Sequence, residues 1–275
     1  SRLIVFSRKA MIRRWIFRKL LVILPAMKRL SFLLGALVFL ISFSPAQEAN
    51  DFEIPAKSRQ CLVGIAEGWN SSHVTLTLYE RGVGGSWKQK GDFWKGRLGR
   101  YGLVWGKGLH PVPSGARTKR EGDGRAPAGV FYTGGAWGYA PSIKKSPNLN
   151  YVQVTPRDLW YEDVTSPYYN QYRRIEHDPR TTAEKKAQMK QEDYAHSLKL
   201  FIAHNAYPNI TAGHGSSIFF HIWRNGGNSP TAGCTTMPEG NLKALIAALE
   251  PTKVPVYVLL PQAEYNQYRV AWKLP

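Results

Sequence analysis

Short apolar runs that alternate with a period of two recur along this chain, and that pattern restricts it to β-structure before anything else is considered. Val74, Leu76 and Leu78 alternate with Thr75, Thr77 and Tyr79, and successive residues of a strand face opposite sides of a sheet. Between Gln60 and Leu98 such runs are separated by glycine-rich turns, among them Gly82-Val83-Gly84-Gly85. Ile218, Phe220 and Ile222 alternate with Phe219, His221 and Trp223, and Val254 to Leu260 alternates again. A helical period is seen at Leu242, Leu245, Ile246 and Leu249, after Pro238 and Glu239 and before Pro251. The expected fold is therefore mainly β with a few helices, not an alternating parallel-sheet protein. With 275 residues, 43% of them hydrophobic, the chain is long and apolar enough to bury a substantial core.

Between Gly106 and Pro147, glycine and proline predict loops with short strands, one of them Ala128 to Tyr132. Residues 158–200 differ in character. Asp158 to Tyr172 is aromatic and loop-like, whereas Thr182 to Gln191, after Pro179, is rich in helix formers. We read 158–200 as a partly helical insertion positioned to cover a cleft.

The formal charge of +18 is unevenly distributed. Residues 1–46 hold nine Lys and Arg and no acidic residue, and the remainder carries 28 basic against 19 acidic residues, a net of +9. Met27-Lys28-Arg29 opens a basic start, fourteen mostly apolar residues follow from Leu30 to Phe43, and Ser44-Pro45-Ala46 presents small residues at a cleavage site. That is the pattern of a secretory signal peptide, and its apolar stretch is short for a spanning helix. The expected organisation is a leader over 1–46, its signal peptide starting at Met27, and a single domain over 47–275. Residues 1–26 carry Arg13-Arg14, a faint echo of a twin-arginine signal, but are read as upstream extension. The expected location is the periplasm or cell wall, where a residual positive charge favours anionic envelope polymers or surfaces and nucleic acid is not expected as a partner.

Two residues carry the chemistry. His221 and Cys234 are 13 apart, joined by a glycine-rich turn that folds the chain back. A cysteine nucleophile needs a base for its proton and backbone donors for the oxyanion it creates. Gly233 permits a sharp bend that leaves the Gly233 and Cys234 amides free, and an imidazolium at 221 is expected to draw the thiol pKa toward neutrality. The competing reading is a Cys61–Cys234 disulfide, as expected of two cysteines in an oxidising compartment, although Cys61 sits in an apolar run with Leu62, Val63 and Ile65. His204, His214, His221 and Cys234 can also be drawn as a zinc set, but their spacing matches no metalloprotease motif. Glu121-Gly122-Asp123-Gly124 reads as a turn rather than a calcium loop. Nine Trp and fourteen Tyr suggest a sugar-stacking surface, yet Trp160 and Tyr257 are equally suited to a core.

The stretch HIWRNGGNSPTAGC at 221–234, together with EGDGRAPAGVF at 121–131, resembles the L,D-transpeptidase catalytic domain of the YkuD type, whose signature ends in Ser or Thr, any residue, Gly, Cys. Weaker likeness extends to DLWYEDVTSPYYN at 158–170 and IAHN at 202–205. The HIW and TAGCT wording is that of a divergent branch. The resemblance implies a β-sandwich-like fold and a cysteine that attacks the carbonyl of meso-diaminopimelate in a tetrapeptide stem, releases D-Ala and passes the acyl group to an amine. By position, Cys234 matches the nucleophile, His221 the base, Thr231 the Ser/Thr of the signature and Gly233 the oxyanion turn. Two positions depart from the pattern: Ile222 replaces the usual glycine after the histidine, and Thr236 the usual arginine two after the cysteine. Arg224 is a candidate for the missing cation, and His204 and Asn205 are candidates for the cleft wall, so Arg224, His204, Asn205 and Thr236 complete the set of candidate substrate-binding residues.

The sequence thus points to an exported cysteine acyltransferase acting on peptidoglycan stem peptides, a monomer associated with the cell envelope and needing no metal or cofactor. Hydrolysis of the same thioester would make it an L,D-carboxypeptidase or endopeptidase. A sortase-like enzyme shares the His-before-Cys order but wants a wider separation and an arginine after the cysteine, and NlpC/P60-type peptidases reverse the order. A non-catalytic wall-binding protein with a Cys61–Cys234 disulfide is the alternative from outside enzymology.

Overall fold

A computed structural model describes residues 51–275; the leader over 1–46 and the start of the expected domain lie outside the described residues. Along the chain the strands are β1 (Gln60–Ala66), β2 (His73–Glu80), β3 (Lys88–Gln89), β4 (Trp94–Arg97), β5 (Leu103–Trp105), β6 (Ala126–Gly138), β7 (Tyr151–Gln153), β8 (Asp158–Trp160), β9 (Tyr172–Arg174), β10 (Leu198–Ile202), β11 (Phe219–Ile222), β12 (Thr235–Met237) and β13 (Val256–Pro261). The α-helices are α1 (Thr182–Ala187), α2 (Glu239–Ala248) and α3 (Gln262–Tyr268). The fold is mainly β with a few helices, as the alternation requires.

The main sheet runs β1-β13-β6-β10-β11-β12-β4-β2, and β2 pairs back onto β1. Eight strands therefore close on themselves, and the two layers expected of a sandwich are opposite sides of one continuous, mixed sheet; closure leaves those strands no free edge. Its inside is filled by the apolar face of each strand. On β2, Val74, Leu76 and Leu78 are buried while His73 and Thr75 are exposed. Phe220, Ile222, Tyr257 and Leu259 join the same core, and α2 covers it with Leu242, Leu245 and Ile246. Cys61 is a member of this core, fully buried on β1 opposite Val256 and Tyr79.

A second, smaller cluster lies outside the closed sheet, made by Trp137, Val154, Trp160, Met189 and Phe219 with Cys234 packed against it. Its cover is the 158–200 insertion. Asp158 to Tyr172, expected to be loop, begins with β8, which pairs with β9 as a separate two-stranded sheet, because Leu159 and Trp160 are drawn inward. The expected helix over 182–191 stops at Ala187. Gln188 turns to an extended conformation, the Met189 amide donates to the Asp158 carbonyl at 2.9 Å, and the Met189 side chain enters the second cluster. Thr181 and Glu184 cap its N-terminus reciprocally.

Two further boundaries move. The strand expected at Ala128–Tyr132 grows to thirteen residues as β6, since it pairs with β13, β10, β5 and β7 in turn. The last strand begins at Val256 rather than Val254, which closes a 3-10 turn in the left-handed conformation (φ 47°). Helix α3 was not expected from the sequence; Tyr268 and Trp272 stack at 4.5 Å and anchor it on the core.

Candidate active site

His221 lies on β11 between Phe220 and Ile222, whose side chains enter the core, so the imidazole faces the opposite side. β12 runs parallel to β11 with Phe220 opposite Thr235 and His221 opposite Thr236. The connection is not a hairpin. Residues 223–234 make a full return crossing, held by the Thr231 amide on the Leu98 carbonyl (2.8 Å) and the Arg100 amide on the Thr231 carbonyl (2.8 Å), since parallel neighbours need about a dozen residues between them. Cys234 therefore arrives beside Phe219 at the start of the ladder, on the same sheet face as His221 and diagonal to it.

Both side chains open into one cavity of about 390 Å³, which Lys119, Trp160, His196 and Lys199 also line. Its size falls within the range of small-ligand pockets. The Phe219 amide donates to Cys234 Sγ at 3.5 Å, and the thiol lies 3.4 Å from the Ser217 carbonyl. Ser217 itself is left-handed (φ 54°), an uncommon conformation for a residue with a side chain. Asn170 holds it there: Asn170 Oδ1 accepts from the Ser217 amide (3.0 Å) and from Trp160 Nε1 (3.0 Å), while Asn170 Nδ2 donates to the carbonyls of His204 (3.2 Å) and Asn205 (2.8 Å). Through this one amide the insertion fixes the loop that meets the sulfur.

His221 Nδ1 donates to the Ile222 carbonyl at 2.9 Å, which sets the tautomer and leaves Nε2 as the lone-pair nitrogen. His196, from the insertion, stacks on His221 with centroids 4.5 Å apart and an interplanar angle of 26°. Burial, before any charge, lowers the His221 pKa to about 4 and the His196 pKa to about 3. Burial also raises the Cys234 thiol, against the Phe219 hydrogen bond and the cations of Lys199 and Lys119. The expected imidazolium–thiolate pair is thus overturned: desolvation penalises both charged forms, and the resting state is a neutral thiol beside a neutral imidazole.

Other expectations are redrawn by hydrogen bonding. The Gly233 amide is not free; it donates to Thr231 Oγ1 at 3.0 Å, and Thr231 Oγ1 donates to the Cys234 carbonyl at 2.7 Å. Thr231 thereby ties the turn, and a Cβ at 233 would make a tight 3.0 Å contact with the Arg125 carbonyl. Arg224 does line the cavity but is ion-paired with Asp193. His204 and Asn205 do not reach it. Both are fully buried: His204 Nδ1 accepts from the Lys107 amide (3.1 Å), His204 Nε2 donates to the His214 carbonyl (2.9 Å), and Asn205 holds Thr211 and Gly215. That engagement of both His204 nitrogens also takes it out of any zinc set. Thr236 is buried across from His221 on β12 and is not part of the cavity wall. Cys61 and Cys234 are both free thiols, one inside the closed sheet and the other outside it, so the disulfide reading is not met.

The turn at 121–124 serves the site. Asp123 accepts from Lys119 Nζ (2.5 Å) and from the amides of Arg120 and Arg125 (both 2.9 Å), and Glu121 accepts from Tyr169 and from Ser216 Oγ, the latter at 2.9 Å. Sequence reasoning missed Lys199, His196 and Asn170. Each becomes visible only when the insertion is folded down, though Asn170 lies within the DLWYEDVTSPYYN stretch.

The family model of the L,D-transpeptidase catalytic domain, YkuD, matches residues 95–258. The chain belongs to the YkuD family. The match begins in β4 and ends in β13, and it contains the cavity, the insertion, His221 and Cys234. It gives the domain L,D-transpeptidase-type character and a peptidoglycan connection. No curated protein and no solved structure matches the chain.

Proposed function

We propose that this protein is an exported cysteine acyltransferase that acts on peptidoglycan stem peptides and forms L,D cross-links through a thioester on Cys234. The observation that carries the reading is that Cys234 and His221 face one cavity from adjacent strands, with His221 Nδ1 tied to a carbonyl so that Nε2 is the basic nitrogen. From the neutral resting pair, His221 Nε2 takes the Sγ proton as sulfur bonds to the carbonyl carbon of the donor. The oxygen of the tetrahedral intermediate becomes anionic. With the Gly233 amide engaged by Thr231, the Cys234 amide is the backbone donor we assign to it. Collapse breaks the C–N bond, the imidazolium returns its proton to the departing D-Ala amine, and the thioester remains. An acceptor amine then gives up a proton to His221 and attacks the thioester, regenerating the thiol; water in place of that amine gives the carboxypeptidase outcome.

The leader read over residues 1–46 supports export to the periplasm or cell wall, and the net charge of +9 on the remainder supports association with an anionic envelope. Among the described residues no helix is long and apolar enough to cross a membrane. The test is incubation of the purified protein with a disaccharide tetrapeptide followed by mass spectrometry. D-Ala release, a cross-linked dimer and an acyl adduct on Cys234 are expected. Tripeptide without dimer would favour hydrolysis, and full activity in Cys234→Ala would end the proposal.

A further inference from the structure

Two lysines are buried in the cavity wall, and they differ in what balances their charge. Lys119, 3% exposed, has a counter-ion: its Nζ meets Asp123 at 2.5 Å and the Arg120 carbonyl at 2.9 Å. Lys199, 4% exposed, makes no ion pair among the described residues. Its Nζ donates one hydrogen bond, to the Met189 carbonyl at 3.2 Å, and stands 5.7 Å from the centre of the Phe219 ring. An ammonium has three donors to satisfy, and one taken out of water without an anion bears a heavy desolvation cost. Lys199 stands directly opposite His221 in the β10–β11 ladder and lines the same cavity.

We infer that Lys199 is the anion-binding residue of this cavity, receiving the terminal carboxylate of the acyl donor next to the carbonyl that Cys234 attacks. The inference rests on reading the cavity as an acyl-donor site, and it names the group that selects the donor. It also answers the departure at Thr236: the cation missing after the cysteine is supplied from β10, two strands away, instead of from β12. The other cations of the wall are less suited. Arg224 is half-exposed and paired with Asp193, and Lys119 is neutralised by Asp123. Burial brings the Lys199 pKa down to about 8, with Glu162 and Asp193 favouring its charge, so at neutral pH the ammonium still predominates.

The test compares alkylation of Cys234 by anionic iodoacetate and neutral iodoacetamide at pH 7, read by peptide mapping of the full chain. The iodoacetate-to-iodoacetamide rate ratio is expected to fall at least tenfold in Lys199→Met and to return to within threefold of wild type in Lys199→Arg. If Lys199 serves only to acidify the thiol, both reagents slow together and the ratio holds, which overturns the inference. A fall in the ratio in Lys119→Met or Arg224→Met, without one in Lys199→Met, overturns it as well. A wild-type measurement covers misfolding of the variants: a stem tetrapeptide with a free terminal carboxylate is expected to protect Cys234 from iodoacetamide at a concentration at least tenfold lower than its terminal amide, and equal protection overturns the inference. Neither arm requires turnover, so loss of the transpeptidase reading and loss of the Lys199 assignment give separate results.

Discussion

On one face of β11, Phe220 and Ile222 join the apolar core inside the closed sheet; on the other, Phe219 and His221 meet the insertion, two buried lysines and Cys234. The inner face is sealed by strand closure and α2, so its side chains are interchangeable in kind if volume is kept. The outer face is sealed by residues 158–200, and its polar groups are held one by one: Asn170 on Ser217, Thr231 on Gly233, Asp123 on Lys119. The same contrast separates the two cysteines. Cys61, in the core, has a thiol that burial pushes far up, whereas Cys234 has the Phe219 amide on its sulfur and two lysines acting on it. A strand four residues long thus divides stability from chemistry.

Substitutions on either face sharpen that division. Cys234→Ala should abolish acyl transfer and the covalent adduct while the melting temperature stays close to wild type; activity surviving in that variant would break the outer-face assignment. His221→Ala should lower turnover by about 10²- to 10⁴-fold, the usual contribution of a general base, again with the fold retained by circular dichroism. On the inner face, Phe220→Ala should cost about 3 to 5 kcal/mol of stability in denaturant titration, with the rate per folded molecule altered far less than in His221→Ala.

A pH series probes both faces at once. His110, His196, His204 and His221 all have burial-lowered pKa values, to about 4, 3, 3 and 4. Between the unfolded histidine value of about 6.5 and these folded values the unfolded chain binds more protons, so this contribution is fully present above that range and is lost as pH falls. Each histidine contributes up to about 1.4 kcal/mol per pH unit. The melting temperature should therefore drop steeply between pH 6.5 and 4.5, and a flat profile would contradict neutral burial. The smallest effect is expected at Cys61→Ala, about 1 kcal/mol of stability and unchanged activity; a large activity loss there would erase the distinction between the cysteines.

The fold was legible where burial is one-sided. The alternation on β2 and the helical spacing of Leu242, Leu245 and Ile246 depend on a single buried face and appear as read, while β11 forms where expected although both its faces are buried. Boundaries failed where a tertiary partner intervened, as when Met189 ended α1 by entering the second cluster, and α3 escaped notice because its seven residues carry little periodicity of their own. At the site, Cys234, His221, Thr231 and Gly233 were legible as one contiguous stretch of sequence. Lys199, His196 and Asn170 were not, since nothing local distinguishes them from other polar residues of the insertion and β10.

What the amino-acid order determined alone is the mainly β character and the stretch from 221 to 234 that carries histidine, threonine, glycine and cysteine, because period and turn chemistry act over a few residues. Only the tertiary structure decided that β11 and β12 run parallel, that the thiol and imidazole rest neutral, and that Lys199 rather than His204, Asn205 or Thr236 stands at the cavity. Those outcomes depend on which groups lose water together, and desolvation is a property of the assembled fold, not of neighbours along the chain.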